Sequence, residues 1–100
     1  MLSSKQRAAL MRLAQTKDCL VSLGRAGASP ELAARLAELL AQHELVKLRF
    51  VDFKESRREL AADLAARTDS EVVRVIGGVA VFFKASPSPD KHKVDLDALA

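Results

Sequence analysis

The spacing of apolar residues divides the chain into three helical segments and four strand segments. In the helical segments apolar side chains recur every three or four residues, as Leu10 and Ala14 do in the first. In the strand segments they alternate with polar residues, as they do around Lys47, or form short runs rich in β-branched side chains. The strands are predicted at residues 19–23, 45–51, 71–76 and 79–84.

Capping residues indicate where the helices begin. Ser3 followed three positions later by Gln6 has the pattern of a capping box. Ser29 with Pro30 directly after it is typical of the start of a second helix. The start of the third helix stays open, because a further capping-box pattern at Ser56 lies inside its helical segment. The three helices are predicted to end near residues 16, 43 and 67.

The connections between these segments predict a mixed sheet. Gly77-Gly78 has the turn chemistry of a two-residue hairpin, so the last two strands are expected to pair antiparallel. Strands joined through a helix are expected to lie parallel, because such a connection crosses over the sheet. Residues 1–85 are predicted to form one domain with the order α-β-α-β-α-β-β. Residues 86–100 have little apolar content and are predicted to form a disordered C-terminal tail.

Composition narrows the class of protein. At 100 residues, with 49% hydrophobic and 29% charged side chains, the chain has the size of one ordinary domain. Cys19 is the only cysteine, which excludes an internal disulfide framework and suits a reducing cytosol. Apolar runs stay below the roughly 18 to 20 residues that span a bilayer, and no secretory signal is recognisable. A cytoplasmic location without a membrane partner is therefore expected.

The net charge of +3 is unevenly distributed. Residues 1–25 contain five basic residues and one acidic residue, a balance of +4, so the remaining residues sum to −1. The five basic residues are Lys5, Arg7, Arg12, Lys17 and Arg25. The sequence therefore predicts a local basic surface rather than a uniformly cationic protein.

A glycine-containing loop, Gly24-Arg25-Ala26-Gly27, separates the first strand from the second helix. Its glycines allow the backbone to approach a phosphate closely, and the helix start beyond it offers N–H donors. Arg25 adds a positive charge. A phosphate-binding loop is one interpretation; the other is that Gly24 and Gly27 only supply turn dihedrals, since a Gly-x-x-Gly match arises easily by chance.

Four basic residues alternate with apolar residues on the predicted strands: Lys47, Arg49, Arg74 and Lys84. They are predicted to share an uncovered face of the sheet, either as secondary contacts to a nucleic acid or as an ordinary solvated face. A stacking platform of the RRM type needs aromatic residues on adjacent central strands. The sequence lacks this pattern, and an outward Phe82 would provide a single ring only.

The sequence shows no recognisable set of catalytic or metal-binding residues. Cys19 lies in a predicted buried strand, where cysteine usually acts as a small apolar residue. His43 is placed near a helix C-terminus and His92 in the tail, both without neighbours of metal-ligand type. We therefore expect neither an enzyme nor a cofactor, a metal or a small-molecule substrate.

Four short segments occur in an informative order: LSSKQR at residues 2–7, LGRAG at 23–27, HELVK at 43–47 and VIG at 75–77. Together they resemble the CRM domain, in particular its small stand-alone bacterial form, the YhbY family of RNA-binding proteins. The similarity covers about residues 2–84. The family often has a lysine where this chain has Gly78.

The resemblance implies a fold and a set of contacts. The fold is an α/β (α+β) two-layer sandwich with a four-stranded mixed sheet, similar to the C-terminal domain of translation initiation factor three. Family members use the Gly-x-x-Gly loop in a way likened to KH domains, which implies RNA contacts at Gly24, Arg25, Ala26 and Gly27. Basic residues of the first helix would flank this loop.

Two functions from different classes remain open. The first is an RNA-binding protein of ribosome assembly, which associates with rRNA in precursors of the large ribosomal subunit and has ribosomal proteins as further partners. The second is a protein-interaction adaptor that docks on a ribosomal or assembly protein through its helices. Destroying the RNA distinguishes them, because only an adaptor would keep its partner.

Overall fold

Three helices and four strands follow one another in the predicted order in the computed structural model, which describes residues 2–86. The elements are α1 (Ser4–Ala14), β1 (Cys19–Leu23), α2 (Pro30–His43), β2 (Leu45–Phe50), α3 (Arg57–Thr68), β3 (Glu71–Ile76) and β4 (Val79–Phe83). The predicted disordered tail begins at Ser86, and its remainder lies outside the described residues.

The strands form one mixed sheet in the order β1-β2-β4-β3. Strands β1 and β2 are parallel, and β4 is antiparallel to both β2 and β3. The hairpin of β3 and β4 therefore places β4 between β2 and β3. The links from β1 to β2 and from β2 to β3 are crossover connections through α2 and α3, as expected for strands that point the same way.

Ser3, Ser29 and Ser56 are the N-cap residues of α1, α2 and α3, and the first two make side-chain capping hydrogen bonds. Ser3 and Gln6 form both hydrogen bonds of the predicted capping box, and the Ser29 hydroxyl accepts the N–H of Leu32. At α3, Ser56 is the N-cap but makes no side-chain capping hydrogen bond. Its φ of −112° and ψ of 10° are not the extended backbone that a capping serine usually has.

Apolar side chains cover both faces of the sheet. One face packs against α2 and α3, where Leu36 and Leu64 meet Leu48 and Phe82. The other face packs against α1, whose Leu10 lies in a second cluster with buried strand residues. These strand residues are Leu45, Val73, Val81 and Phe83. The sheet with α2 and α3 makes the expected two layers, and α1 covers part of the opposite face.

Glu44 is a buried carboxylate between α2 and β2, with only 1% of its surface exposed. It stands at the helix end with a φ of 64°. Its backbone carbonyl accepts the N–H of Lys84, and its carboxylate accepts the N–H of Ser86. Glu44 therefore fixes the segment that follows β4 against the start of β2.

Phe82 gives a direct test of the core, because its ring is fully buried at the centre of the sheet. We expect Phe82→Ala to lower the free energy of unfolding by about 3 to 5 kcal/mol, since it removes apolar contacts and leaves a cavity. Urea denaturation of the two proteins measures this difference. Leu20→Ala on the edge strand, where 45% of the side chain is exposed, should cost less than about 1 kcal/mol. Equal losses for both variants would contradict the described core.

Candidate functional site

The glycine loop forms a tight turn at the end of β1. The N–H of Gly27 donates to the carbonyl of Gly24 at 3.0 Å, and the N–H of Ser29 donates to the carbonyl of Gly27 at 2.9 Å. Gly27 has a φ of 71°, a conformation that L residues rarely adopt. Arg25 and Ala26 form the tip of this turn and are exposed.

The start of α2 directly follows the loop but offers fewer free donors than an uncapped helix. Pro30 has no N–H, and the N–H of Leu32 is taken by the Ser29 hydroxyl at 3.1 Å. The positive end of the helix dipole still points toward the loop side of the helix. An anion at the loop would therefore be attracted mainly by charge and by the loop backbone.

Two other connections lie beside the glycine loop. A Cβ added to Gly27 would stand 3.8 Å from the ring of Phe53, which belongs to the segment after β2. The N–H of Phe50 donates to the carbonyl of Gly78 at 2.8 Å, which joins the end of β2 to the hairpin turn. Residues 24–27, residues 51–56 and the turn at 77–78 thus form one end of the sheet, which we call the loop end.

Arg57, the first residue of α3, holds the hairpin turn at the loop end. Its Nη1 donates to the carbonyl of Gly77 at 3.0 Å, and its guanidinium lies 5.7 Å from the centre of the Phe50 ring. Its Nε is buried without a hydrogen-bond partner. A Cβ on Gly78 would stand 3.7 Å from Nη1 of Arg57. This cation therefore occupies the neighbourhood of the hairpin turn.

Positive charge exceeds negative charge at the loop end. With the adjoining ends of β2, α2 and α3 included, the basic residues there are Arg25, Arg49, Lys54, Arg57 and Arg58, and the acidic residues are Glu31, Asp52, Glu55 and Glu59. Five minus four leaves a local charge of +1. Arg25 and Arg49 were predicted as contacts from the sequence, whereas Lys54, Arg57 and Arg58 were not. Two adjacent arginines, Arg57 and Arg58, were the sequence feature that indicated additional positive charge here. Their position could not be assigned, because the start of α3 was uncertain from the sequence.

The basic residues of α1 do not all flank the loop. The N–H of Leu2 donates to the carboxylate of Glu71 at 3.0 Å, so α1 begins beside the first residue of β3. The hairpin turn lies at the other end of that six-residue strand, about 20 Å away. Lys5, in the first turn of α1, is exposed near this opposite end. The expectation that the first helix flanks the loop is therefore wrong for its N-terminal part.

Arg7 forms hydrogen bonds that stabilise the edge strand β3. Its Nη1 donates to the backbone carbonyls of Val72 and Val73. The pairing of β3 with β4 shifts register at this point, which the guanidinium supports from the outer edge of the sheet. Arg12 and Lys17 remain exposed, and the carbonyl of Lys17 accepts a hydrogen bond from Nζ of Lys47 at 3.0 Å.

Three of the four basic strand residues share one face. Lys47 and Arg74 are both register partners of Val81, and Arg49 is a partner of Val79. This is the face that α1 partly covers. The prediction that Lys84 shares this face is wrong, because Lys84 follows β4 and its Nζ donates to the carbonyl of Thr68 in α3 at 3.2 Å.

The described residues give no support for a metal or membrane site. Between residues 2 and 86, no three His, Cys, Asp or Glu side chains are grouped so that they could hold a metal ion. In the same part of the chain, every helix is too short or too polar to cross a bilayer. Cys19 is half-buried at the start of the edge strand rather than fully buried.

Comparisons with known proteins agree with this fold and sequence pattern. The CRS1 / YhbY (CRM) domain family matches residues 2–84. The chain is similar to "Probable RNA-binding protein PA4753" of Pseudomonas aeruginosa, with 29% identity over 75 residues that cover 74% of this chain and 72% of the relative. It is also similar to "Probable RNA-binding protein YqeI" of Bacillus subtilis, with 28% identity over 87 residues, 86% of this chain and 91% of the relative.

A solved structure has the same fold. The solution structure of the hypothetical protein SAV1595 from Staphylococcus aureus superposes with a TM-score of 0.78 and 29% sequence identity. The match covers 95% of this chain and 100% of the other.

The two loop glycines provide a matched pair for testing the loop geometry. Gly27→Ala should lower the free energy of unfolding by roughly 1 to 2 kcal/mol, because its φ of 71° is unfavourable for a residue with a Cβ. Gly24→Ala should be neutral or stabilising by up to about 1 kcal/mol, since it needs no such φ and a Cβ there meets nothing within 4 Å. Thermal and urea unfolding measure both. A larger loss at Gly24 than at Gly27 would contradict the turn.

Proposed function

Because the chain belongs to the CRS1/YhbY (CRM) domain family, we propose that it is an RNA-binding protein whose primary contact is the glycine loop of residues 24–27. The names of the relatives PA4753 and YqeI support RNA as the ligand. The observation that carries the proposal is the exposed tip of Arg25 and Ala26, which directly precedes the start of α2 at one end of the sheet.

The loop would hold the sugar-phosphate backbone rather than read bases. Gly24, Ala26 and Gly27 keep the main chain accessible, because they have small side chains or none. Arg25 can donate two parallel hydrogen bonds to one phosphate, and such charge-assisted bonds are among the strongest polar contacts. Lys54 and Arg58 would add attraction, while Arg57 keeps the hairpin turn in place.

More distant cations would contribute a weaker, longer-range attraction. Lys5, Arg12 and Lys17 are exposed on and after α1, and Arg7 is partly occupied by carbonyls of β3. Exposed charges separated by more than about 10 Å are largely screened at moderate salt. Arg49 and Arg74 lie closer to the loop end on the α1 face and would act as secondary contacts, together with Lys47, whose Nζ lies at the carbonyl of Lys17.

The proposed target is ribosomal RNA in precursors of the large ribosomal subunit, so that the protein acts in ribosome assembly in the cytoplasm. This is what the resemblance to the YhbY family implies. Contacts to phosphates carry little sequence information, so shape and exposed single-stranded elements are the expected determinants. Neither an enzymatic activity nor a cofactor is part of the proposal.

Reversal of the charge at Arg25 tests the primary contact. Arg25→Glu should weaken RNA binding by more than about tenfold, since a charge-assisted hydrogen bond contributes about 1.5 to 3 kcal/mol. Stability should change by less than about 0.5 kcal/mol, because the side chain is exposed. Fluorescence anisotropy with a labelled ribosomal RNA fragment measures the affinity.

Lys5→Glu is the matched control, because it makes the same change of charge at the opposite end of the sheet. It should weaken binding less than Arg25→Glu does. The salt dependence gives a second check: with about four phosphate contacts, log affinity should fall with log salt at a slope of about −3. An Arg25→Glu protein that binds as well as the wild type would remove the loop from the mechanism.

Nuclease treatment separates RNA binding from an adaptor role. In a sucrose gradient of cell extract, the tagged protein should sediment with precursors of the large subunit. After complete RNA digestion it should be free of ribosomal proteins, because the contact is to RNA. A ribosomal or assembly protein that stays bound after digestion would favour the adaptor.

A further inference from the structure

An apolar groove of about 230 Å³ lies where α1 ends on the sheet. Its walls are the apolar side chains of Met11, Ile76, Val79 and Val81, with Gln15 and Lys47 as polar members. Ile76 leaves 53% of its surface exposed. The groove is smaller than the roughly 300 Å³ at which pockets for drug-sized ligands begin.

Cations border this groove along the rows of the sheet. Lys47 and Arg74 lie on either side of Val81, and Arg49 lies beside Val79. Two strand spacings separate the backbones of Lys47 and Arg74, about 10 Å. The lining side chains in the described part of the chain include no carboxylate. This combination of an apolar floor and flanking cations matches a ligand with a flat apolar body and negative charge on both sides.

Gln15 and Lys47 can form hydrogen bonds with the edge of such a flat ligand. The Gln15 amide provides both a donor and an acceptor. Nζ of Lys47 uses one hydrogen bond for the carbonyl of Lys17, and an ammonium has three N–H groups, so two remain. The groove is also continuous with the loop end, because Val79 directly follows Gly78.

We propose that the groove holds one unpaired base of the bound RNA, while Arg49 and Arg74 contact the phosphates on either side. This inference rests on the proposed RNA-binding function and adds to it a preference for single-stranded nucleotides. Apolar side chains contact the flat faces of a base as aromatic ones do. An apolar protein segment is a poorer match, because it would leave the flanking cations without anionic partners.

The test compares two RNA strands of equal charge. One is an unstructured single strand, and the other has the same backbone with abasic sugars in place of its nucleotides. The wild type should bind the base-bearing strand roughly fivefold more tightly, near the lower end of the contribution of a stacked base. Ile76→Gln should abolish this preference and leave the affinity for the abasic strand unchanged. Leu20→Gln, which changes an exposed apolar residue outside the groove, should retain the preference.

The outcomes separate this inference from the proposed function. If the wild type does not distinguish the two strands, or Ile76→Gln keeps the full preference, the groove does not hold a base. In either case a loss of binding in Arg25→Glu would leave the proposed function intact. If neither strand binds at all, both the function and the inference are overturned.

Methyl resonances identify the occupant directly. On addition of the base-bearing strand, the signals of Ile76 and Val79 should shift and show nuclear Overhauser contacts to base protons. The abasic strand should leave them in place. Contacts between these methyl groups and residues after Ser86 in the free protein would show that the chain fills its own groove, and would overturn the inference.

Discussion

Strand β4 is buried on both faces, and this constraint sets the positions of the other elements. Its alternate residues Ala80 and Phe82 face α2 and α3, whereas Val81 and Phe83 face α1. A strand with two apolar faces is stable only where helices shield both from water. A tight hairpin joins β3 to β4, and β4 lies between β2 and β3. The turn at residues 77–78 therefore lies at the same end of the sheet as the C-terminal ends of β1 and β2. The loop end is a consequence of this packing.

Most of the fold could be predicted from local sequence. The change from helical to alternating spacing, the capping serines and the Gly77-Gly78 turn each act over a few residues, so they can be read without knowledge of the tertiary structure. The Ser56 pattern did not form a capping box, because the φ of −112° and ψ of 10° at that position differ from the extended backbone of a capping serine. The side of the sheet on which α1 packs depends on tertiary contacts.

The candidate site was predictable only in part. The loop of residues 24–27 could be recognised because glycines and a helix start are adjacent in sequence. The cations of residues 54–58 join it through contacts across the sheet, such as that of Gly27 with Phe53, which no local pattern encodes. Conversely, the Arg7 side chain hydrogen-bonds to a carbonyl of β3, and the Lys84 side chain hydrogen-bonds to a carbonyl at the end of α3. Both cations are therefore already engaged within the protein. A cluster of basic residues in the sequence therefore does not correspond to a cluster of basic residues on the folded surface.

The central claim is that the main chain of the glycine loop receives the RNA backbone. Titration of the isotopically labelled protein with a single-stranded ribosomal RNA fragment, followed through backbone amide resonances, tests it most directly. The amides of residues 24–27 should show the largest shifts at the lowest RNA concentrations. Shifts confined to the outer surfaces of α2 and α3, with the loop unchanged, would contradict it.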